Sequence, residues 1–189
     1  MNSSALLLER LGALIHQSVR EDAARHGLLP IHVQVLGYLA QANRYSDLPI
    51  AIAEYFGITR GTVSQSLAVL ERKGLLLKRP DPRHGRRIHL ELTPAGRAVL
   101  DDSWTRRLDA ALQAAAGEDG GRELETGLRR VLTELQRLNG QRAFGICRQC
   151  VHFQGAPANA TCGLTGEPLA EEQTGRLCRE WSQSAGQGS

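Results

Sequence analysis

Residues 57–75 read Gly57-Ile58-Thr59-Arg60-Gly61-Thr62-Val63-Ser64-Gln65-Ser66-Leu67-Ala68-Val69-Leu70-Glu71-Arg72-Lys73-Gly74-Leu75. Gly57 supplies a turn, Thr59 is suited to cap a helix through its hydroxyl, and Gly74 ends that helix. Val63, Leu67 and Leu70 fall on one stripe at helical spacing and predict a buried face. Arg60, Gly61, Thr62, Ser64, Gln65 and Ser66 are left on or near the open face. Apart from the arginine they are small or polar, a set suited to a DNA major groove. Gln65 can pair with adenine, and Arg60 with guanine or a phosphate. An ordinary solvated helix face is the alternative for the same residues. Immediately upstream, Leu48 to Phe56 predicts a short helix, so Leu48 to Lys73 has the layout of a helix-turn-helix.

Downstream, the pattern changes to short strands over Leu75–Lys78 and Ile88–Leu92. The turn-rich loop between them carries Arg79, Arg83, Arg86 and Arg87 after Lys78, with Asp81 its only acid. A cationic loop beside a recognition helix can reach phosphates or a minor groove; a solubilising surface loop is the plainer alternative. His84 lies in the loop and His89 beside it, both expected near DNA or in solvent. Thr93-Pro94 opens a further helix expected to run to about Ala116. Gly117 to Gly121 breaks it, and a last helix is expected from Arg122 to about Arg142. Its Leu124, Leu128, Val131, Leu135 and Leu138 repeat at four, three, four, three, a coiled-coil-like seam. Upstream, Leu8, Leu11, Ile15 and Val19 mark a helix over residues 4–25, and Val33, Val35, Leu36 and Leu39 a second after Pro30. The two terminal helices carry more apolar surface than one small domain can cover, which predicts pairing across a two-fold axis.

The stretches Gly57–Ser64, Leu70–Leu75, Asp81-Pro82-Arg83 and Leu92-Thr93-Pro94-Ala95-Gly96 resemble, as an ordered set, the MarR family of winged helix-turn-helix regulators. The resemblance spans about residues 4–145. It implies a homodimer, with one winged domain on each half-site of a near-palindromic operator in double-stranded DNA, most often acting as a repressor. It also implies that Asp81 structures the wing and that Arg83 inserts with it. The helix position that the family often fills with arginine is Gln65 here.

Residues 146–181 differ from everything before them. Periodicity is lost, and the four cysteines of the chain stand here as C-x2-C-x11-C-x15-C: Cys147, Cys150, Cys162 and Cys178. Four clustered thiols point to one metal centre rather than a disulfide framework. Their irregular spacing favours an iron–sulfur cluster able to sense oxidants or iron, and zinc is the alternative. Phe153, Leu169 and Trp181 are expected to shield the centre, and Arg142 to Gly145 to serve as its hinge. Residues 182–189 are expected to form a disordered tail.

The fold class that follows is mainly α with a small β-wing: a winged helix-turn-helix dimer over 1–145 plus a cysteine-ligated module. Apolar content of 41% allows a core, and the net charge of +3 is mildly basic. No apolar run is long enough for a membrane span and no signal-peptide pattern opens the chain, so a cytoplasmic protein is expected. No nucleophile–base pair, phosphate loop or zinc-protease helix stands in the sequence, so an enzyme is not expected. The alternative within the DNA-binding reading is a regulator that answers to a small aromatic effector. Trp104 and Tyr38 would then line the effector cleft, with structural zinc in the tail or the tail contacting a partner protein.

Overall fold

The computed structural model describes residues 3–82, 85, 87–101 and 103–183. Two long helices, α1 (Ser3–Arg25) and α6 (Trp104–Leu138), flank a helical core of α2 (Pro30–Gln41), α3 (Pro49–Phe56), α4 (Arg60–Arg72) and α5 (Pro94–Asp101). A two-stranded antiparallel wing, β1 (Leu76–Pro80) with β2 (Ile88–Leu92), follows α4, with Leu76 opposite Leu92 and Pro80 opposite Ile88. Val35, Leu36, Ile52, Val63, Leu67, Leu70 and Leu76 are almost fully buried and join α2, α3, α4 and the wing in one core.

Local chemistry sets the elements around the turn. Gly57 closes α3 at φ 63°, left-handed backbone that costs a glycine least. The Thr59 hydroxyl then accepts from the Thr62 N–H at 3.1 Å and caps α4. The Thr93-Pro94-Ala95-Gly96 segment is explained by two bonds of one side chain. The Thr93 hydroxyl accepts from the Gly96 N–H at 3.0 Å, capping α5, and donates to the Gly74 carbonyl at 2.7 Å. That tie brings α5 so close to the end of α4 that a Cβ on Gly96 would stand 2.0 Å from the Leu75 carbonyl oxygen.

The helix expected from Thr93 to Ala116 is instead two helices, separated at Ser103. The cause is distant in sequence. Asp22 of α1, only 2% exposed, accepts the Trp104 N–H and so caps α6 from outside. Arg107 and Arg25 bind the same carboxylate. Burial alone would raise the Asp22 pKa, but the Arg107 hydrogen bond, the Trp104 N–H and the two guanidinium charges hold it below the ordinary carboxylate value. Gly117 breaks α6 as the sequence predicts, at φ 62° and ψ −171°.

The terminal helices keep their apolar faces outward. Leu6, Leu7, Leu8, Leu11 and Leu14 of α1 are exposed, as are Leu124, Leu128, Val131, Leu135 and Leu138 of α6, the last at 71%. The single chain therefore leaves the seam uncovered.

After α6 the chain returns to the core. Phe144 is buried against the rings of Tyr38 and Tyr55, and Arg142 pairs with Glu54 and Glu180. The expected hinge at Arg142–Gly145 is thus an anchor. The cysteine module is built from short pieces: β3 (Gly145–Ile146) pairs with β7 (Leu177–Cys178), and β4 (Phe153–Gln154), β5 (Ala160–Cys162) and β6 (Pro168–Leu169) form a second sheet. A short helix, α7 (Glu171–Thr174), lies before β7. Ser182, expected as the start of a disordered tail, accepts from the Val151 N–H and donates to the Cys150 sulfur; residues 184–189 lie outside the described residues.

Gly96→Ala should lower the melting temperature, with a cost of about 1–3 kcal/mol for overpacking against fixed backbone. Gly37→Ala, a helix position with nothing within 4 Å of the new Cβ, should be neutral or stabilising. Thermal denaturation of the two variants checks the contrast; equal midpoints would contradict the packed α5 contact.

Candidate functional site

Two sites stand out, and one loop touches both. The first is the open side of α4 and the wing. Arg60, Gly61, Thr62, Ser64 and Gln65 are exposed along the first turns of α4. Ser66, expected with them, is buried at 4%. It lies three residues after Val63 and four before Leu70, so the helical period turns it to the core. A groove of about 380 Å³ runs between α4 and the wing, lined by Arg60, Val63, Ser64, Leu67, Lys78, Arg87 and Ile88 with the start of α3. Arg60 from the helix and Arg87 from the wing thus line one hollow. Lys78 is half-buried and bound to Glu71 at 2.6 Å, and Arg79 pairs with Glu91 at 3.2 Å. Arg83, His84 and Arg86 lie outside the described residues.

The base of the wing is held by a contact that sequence reasoning missed. His89 is not a solvated residue. Its Nδ1 stands 2.6 Å from an Asp47 carboxylate oxygen, and its Nε2 stands 3.2 Å from Asp81. The Asp47 carbonyl also accepts the Leu90 N–H, and Asp81 N–H donates to the Arg87 carbonyl. At the base of the wing Asp81 thus contacts His89, which also contacts Asp47 of the loop between α2 and α3. Burial alone would lower the His89 pKa; the flanking carboxylates of Asp47 and Asp81 hold it above its ordinary value.

The second site is the thiol pocket. Cys147 and Cys150 bracket a tight turn in which the Cys150 N–H donates to the Cys147 carbonyl at 3.1 Å. Cys162 ends β5 and Cys178 ends β7. All four thiols line one small cavity of about 10 Å³, together with Tyr45, His152, Phe153, Leu169 and Glu180. The thiols are free. Among the described residues, no group of three or more Cys, His, Asp or Glu side chains stands as a ready metal-binding set. What the fold supplies is the shared pocket. The pKa of the Cys178 thiol is lowered to about 6 by a hydrogen bond from Cys147, assisted by Asn43 and the Glu180 backbone. That of Cys147 is pushed up by the same bond and by burial.

The loop from Asn43 to Asp47 joins the two sites. Asn43 is 1% exposed; its N–H donates to the Leu177 carbonyl, and its Oδ1 accepts from Tyr45 N–H and the Ser46 hydroxyl. Those donors fix the amide so that the buried Nδ2 is turned toward Cys178, whose ionised form it favours. The Ser46 hydroxyl accepts the Arg179 N–H at 2.8 Å, and the Arg179 guanidinium grips Glu54 of α3 through both oxygens. Arg44 and the Tyr45 hydroxyl both bind Glu167. The loop carries Asp47 two residues beyond Tyr45, and Asp47 is the anchor of the wing.

Tyr38 and Trp104 do not share a cleft. Tyr38 is buried in the aromatic cluster and donates to the Ser46 carbonyl at 2.7 Å, whereas Trp104 opens α6 against Asp22.

Comparison with known proteins bears on the fold of the helical core and the wing. Residues 26–87, which contain the helix-turn-helix and reach the wing, match the model of the MarR family. Among solved structures, S. aureus MepR in a DNA-binding conformation has a TM-score of 0.62 at 22% identity, over 71% of this chain and 100% of that one. The S. aureus MepR–DNA complex has a TM-score of 0.57 at 22% identity, over 72% of this chain and 100% of that one. CouR from Rhodococcus jostii RHA1, bound to p-coumaroyl-CoA, has a TM-score of 0.54 at 22% identity, over 72% of this chain and 92% of that one. The fold is that of MarR-type winged-helix proteins: mainly helical with a small antiparallel wing. No curated protein matches the chain. No described helix is long and apolar enough to cross a membrane.

A raised His89 pKa gives the wing contact a pH dependence of definite sign. Its contribution to stability is complete below the ordinary value of 6.5 and is lost as pH rises through the higher folded value. The melting temperature should therefore fall more steeply above pH 6.5 in the wild-type protein than in His89→Gln. Parallel profiles in the two proteins would contradict the ion pair.

Proposed function

We propose that this protein is a homodimeric, sequence-specific DNA-binding regulator of the MarR type, whose grip on DNA is set by a metal centre on its four C-terminal thiols. The observation that carries the DNA-binding part is the groove shared by α4 and the wing, lined by Arg60, Ser64 and Arg87, with Thr62 and Gln65 exposed on the same helix. An exposed polar helix start next to a cationic strand pair suits a base-reading helix with a phosphate-holding wing. The S. aureus MepR–DNA complex, on the same fold, supports this use of the surface. A dimer covering a near-palindromic operator blocks other proteins from it, so repression is the expected output.

The uncovered leucine faces of α1 and α6 support dimerisation. Two such helices per chain can bury one another only across a two-fold axis, which also sets the spacing of the two wings. The thiol centre would act through the Asn43–Asp47 loop. That loop is bonded to β7 on one side and to His89 of the wing on the other. The four cysteines would serve either an iron–sulfur cluster or a single zinc-class ion.

A second reading has its own observation. An apolar hollow of about 670 Å³ lies between the two limbs of α6 around Gly117, lined by Leu112, Leu124, Leu128 and Leu132. CouR, bound to p-coumaroyl-CoA, shares the fold. A small apolar effector would lodge in that hollow, where its occupation would alter the pairing of the dimer helices.

Binding to operator DNA, followed by fluorescence anisotropy across a salt series, tests the reading. Arg87→Ala should weaken binding to all sequences and lower the salt slope by about 0.9 for each phosphate it ceases to neutralise. Gln65→Ala should cost about 1–3 kcal/mol on the operator and relax preference at one base pair. Equal affinity and slope in Arg87→Ala and wild type, together with unchanged base preference in Gln65→Ala, would exclude this surface as the DNA site. Leu128→Glu combined with Leu135→Glu should give a monomer by light scattering with operator affinity largely abolished; a dimer that survives both changes would contradict the α6 seam.

A further inference from the structure

Resting on the reading of α4 and the wing as the DNA-binding surface, we infer that this surface extends past the start of α4 onto the segment that follows α6, and that Arg142 there takes a backbone phosphate of the duplex. Two hollows meet at the start of α4. The first is the groove between α4 and the wing, with Ile50 and Arg60 in its lining. The second, of about 740 Å³, shares those two residues and continues between the α3–α4 turn and residues 140–142. The hollows therefore adjoin, and Arg87, Arg60 and Arg142 follow one another along them.

Local chemistry brings Arg142 to this place and holds it there. Gly140 ends α6 at φ 61°, left-handed backbone, and Gln141 N–H donates back to the Gln136 carbonyl at 2.8 Å, which turns the chain out of the helix. The Gln141 amide then lies over the turn of the helix-turn-helix: a Cβ on Gly57 would stand 2.8 Å from its nitrogen. On the other side of Arg142, Phe144 is buried against Tyr38 and Tyr55. The segment is fixed at both ends, so the position of Arg142 does not depend on its own side-chain contacts.

The charges leave Arg142 open to an anion. Glu54 is already held through both oxygens by Arg179, at 3.1 and 2.8 Å. Arg142 stands 3.7 Å from Glu54 and 3.3 Å from Glu180, and its side chain is 46% exposed. Long, exposed contacts of this kind contribute little; they aim the guanidinium without consuming it. Arg60, Arg142 and Arg179 outnumber Glu54 and Glu180 around this hollow, which is therefore cationic. A guanidinium offers a planar fork of N–H donors that matches the paired oxygens of a phosphate, and the Gln141 amide adds a neutral donor beside it. Such a contact carries no base information, so Arg142 adds affinity and fixes register while α4 reads sequence.

The test uses the full-length protein and fluorescence anisotropy, with a duplex that the wild type selects from a random-sequence pool and a scrambled duplex of equal length. Arg142→Gln is expected to weaken binding to both duplexes by the same factor. It should also lower the salt slope by about 0.9 for each phosphate lost, which shrinks the Kd ratio between about 50 and 200 mM salt roughly 3.5-fold per contact. Arg142→Lys keeps the charge and should restore the slope. Arg97→Gln removes an equal charge from an exposed position on α5 that lines neither hollow, and should leave the slope as in the wild type. A wild-type slope in Arg142→Gln would overturn the phosphate contact. So would weaker binding at unchanged slope, or a slope that Arg142→Lys does not restore, since both mark a merely structural role. A loss confined to the selected duplex would overturn it in favour of a base contact. If the wild type selects no duplex, or Arg87→Ala binds as the wild type does, the reading of α4 and the wing fails and this contact with it. A silent Arg142→Gln beside a weakened Arg87→Ala sinks this contact alone.

Discussion

The Asn43–Asp47 loop is the constraint on which the arrangement of both sites depends. Its polar groups are satisfied in two directions at once. Asn43, Arg44, Tyr45 and Ser46 bond to β7, Glu167, Gln173 and Arg179 of the cysteine module, while Asp47 bonds to His89 and Leu90 of the wing. Asn43, Ser46 and Tyr38 are buried, so the bonds that they make cannot be exchanged for water without cost. The wing is a two-stranded sheet, marginal by itself; its buried Leu76, Leu90 and Leu92 join the helical core, and Asp47 adds a polar tie to it. A change in the module that shifts Asn43 therefore shifts the anchor of the wing.

This geometry replaces the route suggested by chain order. The module follows α6, which makes that helix the obvious channel from the thiols to the surface of α4 and the wing. Phe144 and Arg142 instead fasten the connection between them to α2 and α3. The contacts that can carry a signal run from Cys178 through Asn43 to Asp47, and from Arg179 to Glu54 of the helix-turn-helix. Cys178 and Arg179 are neighbours on one short segment, so the thiol centre and the grip on α3 are set together.

What was legible in the sequence was local. The Gly57 turn, the Thr59 cap, the stripe of Val63, Leu67 and Leu70, and the Gly117 break each depend on residues within a turn or two. The apolar faces of α1 and α6 were legible from their period, and the meeting of four thiols from their clustering. Ser66 was misassigned because its polar side chain outweighed a period that places it beside Val63 and Leu70. The rest depended on contacts between distant residues. The split at Ser103 is made by Asp22, 82 positions from Trp104. The ion pair at the wing joins Asp47 to His89, 42 positions apart. The docking of Arg179 on Glu54 spans 125 positions. No local pattern marks such partners, because a buried polar residue is chosen by what packs opposite it.

The central claim is that the state of the thiol centre sets the grip on DNA through this loop. Operator affinity of metal-loaded and metal-stripped protein, in the wild type and in Arg179→Ala, tests it most directly. The account predicts that stripping changes the wild-type Kd at least about tenfold, near 1.4 kcal/mol, and that Arg179→Ala shrinks this ratio. An unchanged wild-type Kd, with the dimer intact in both states, would contradict it.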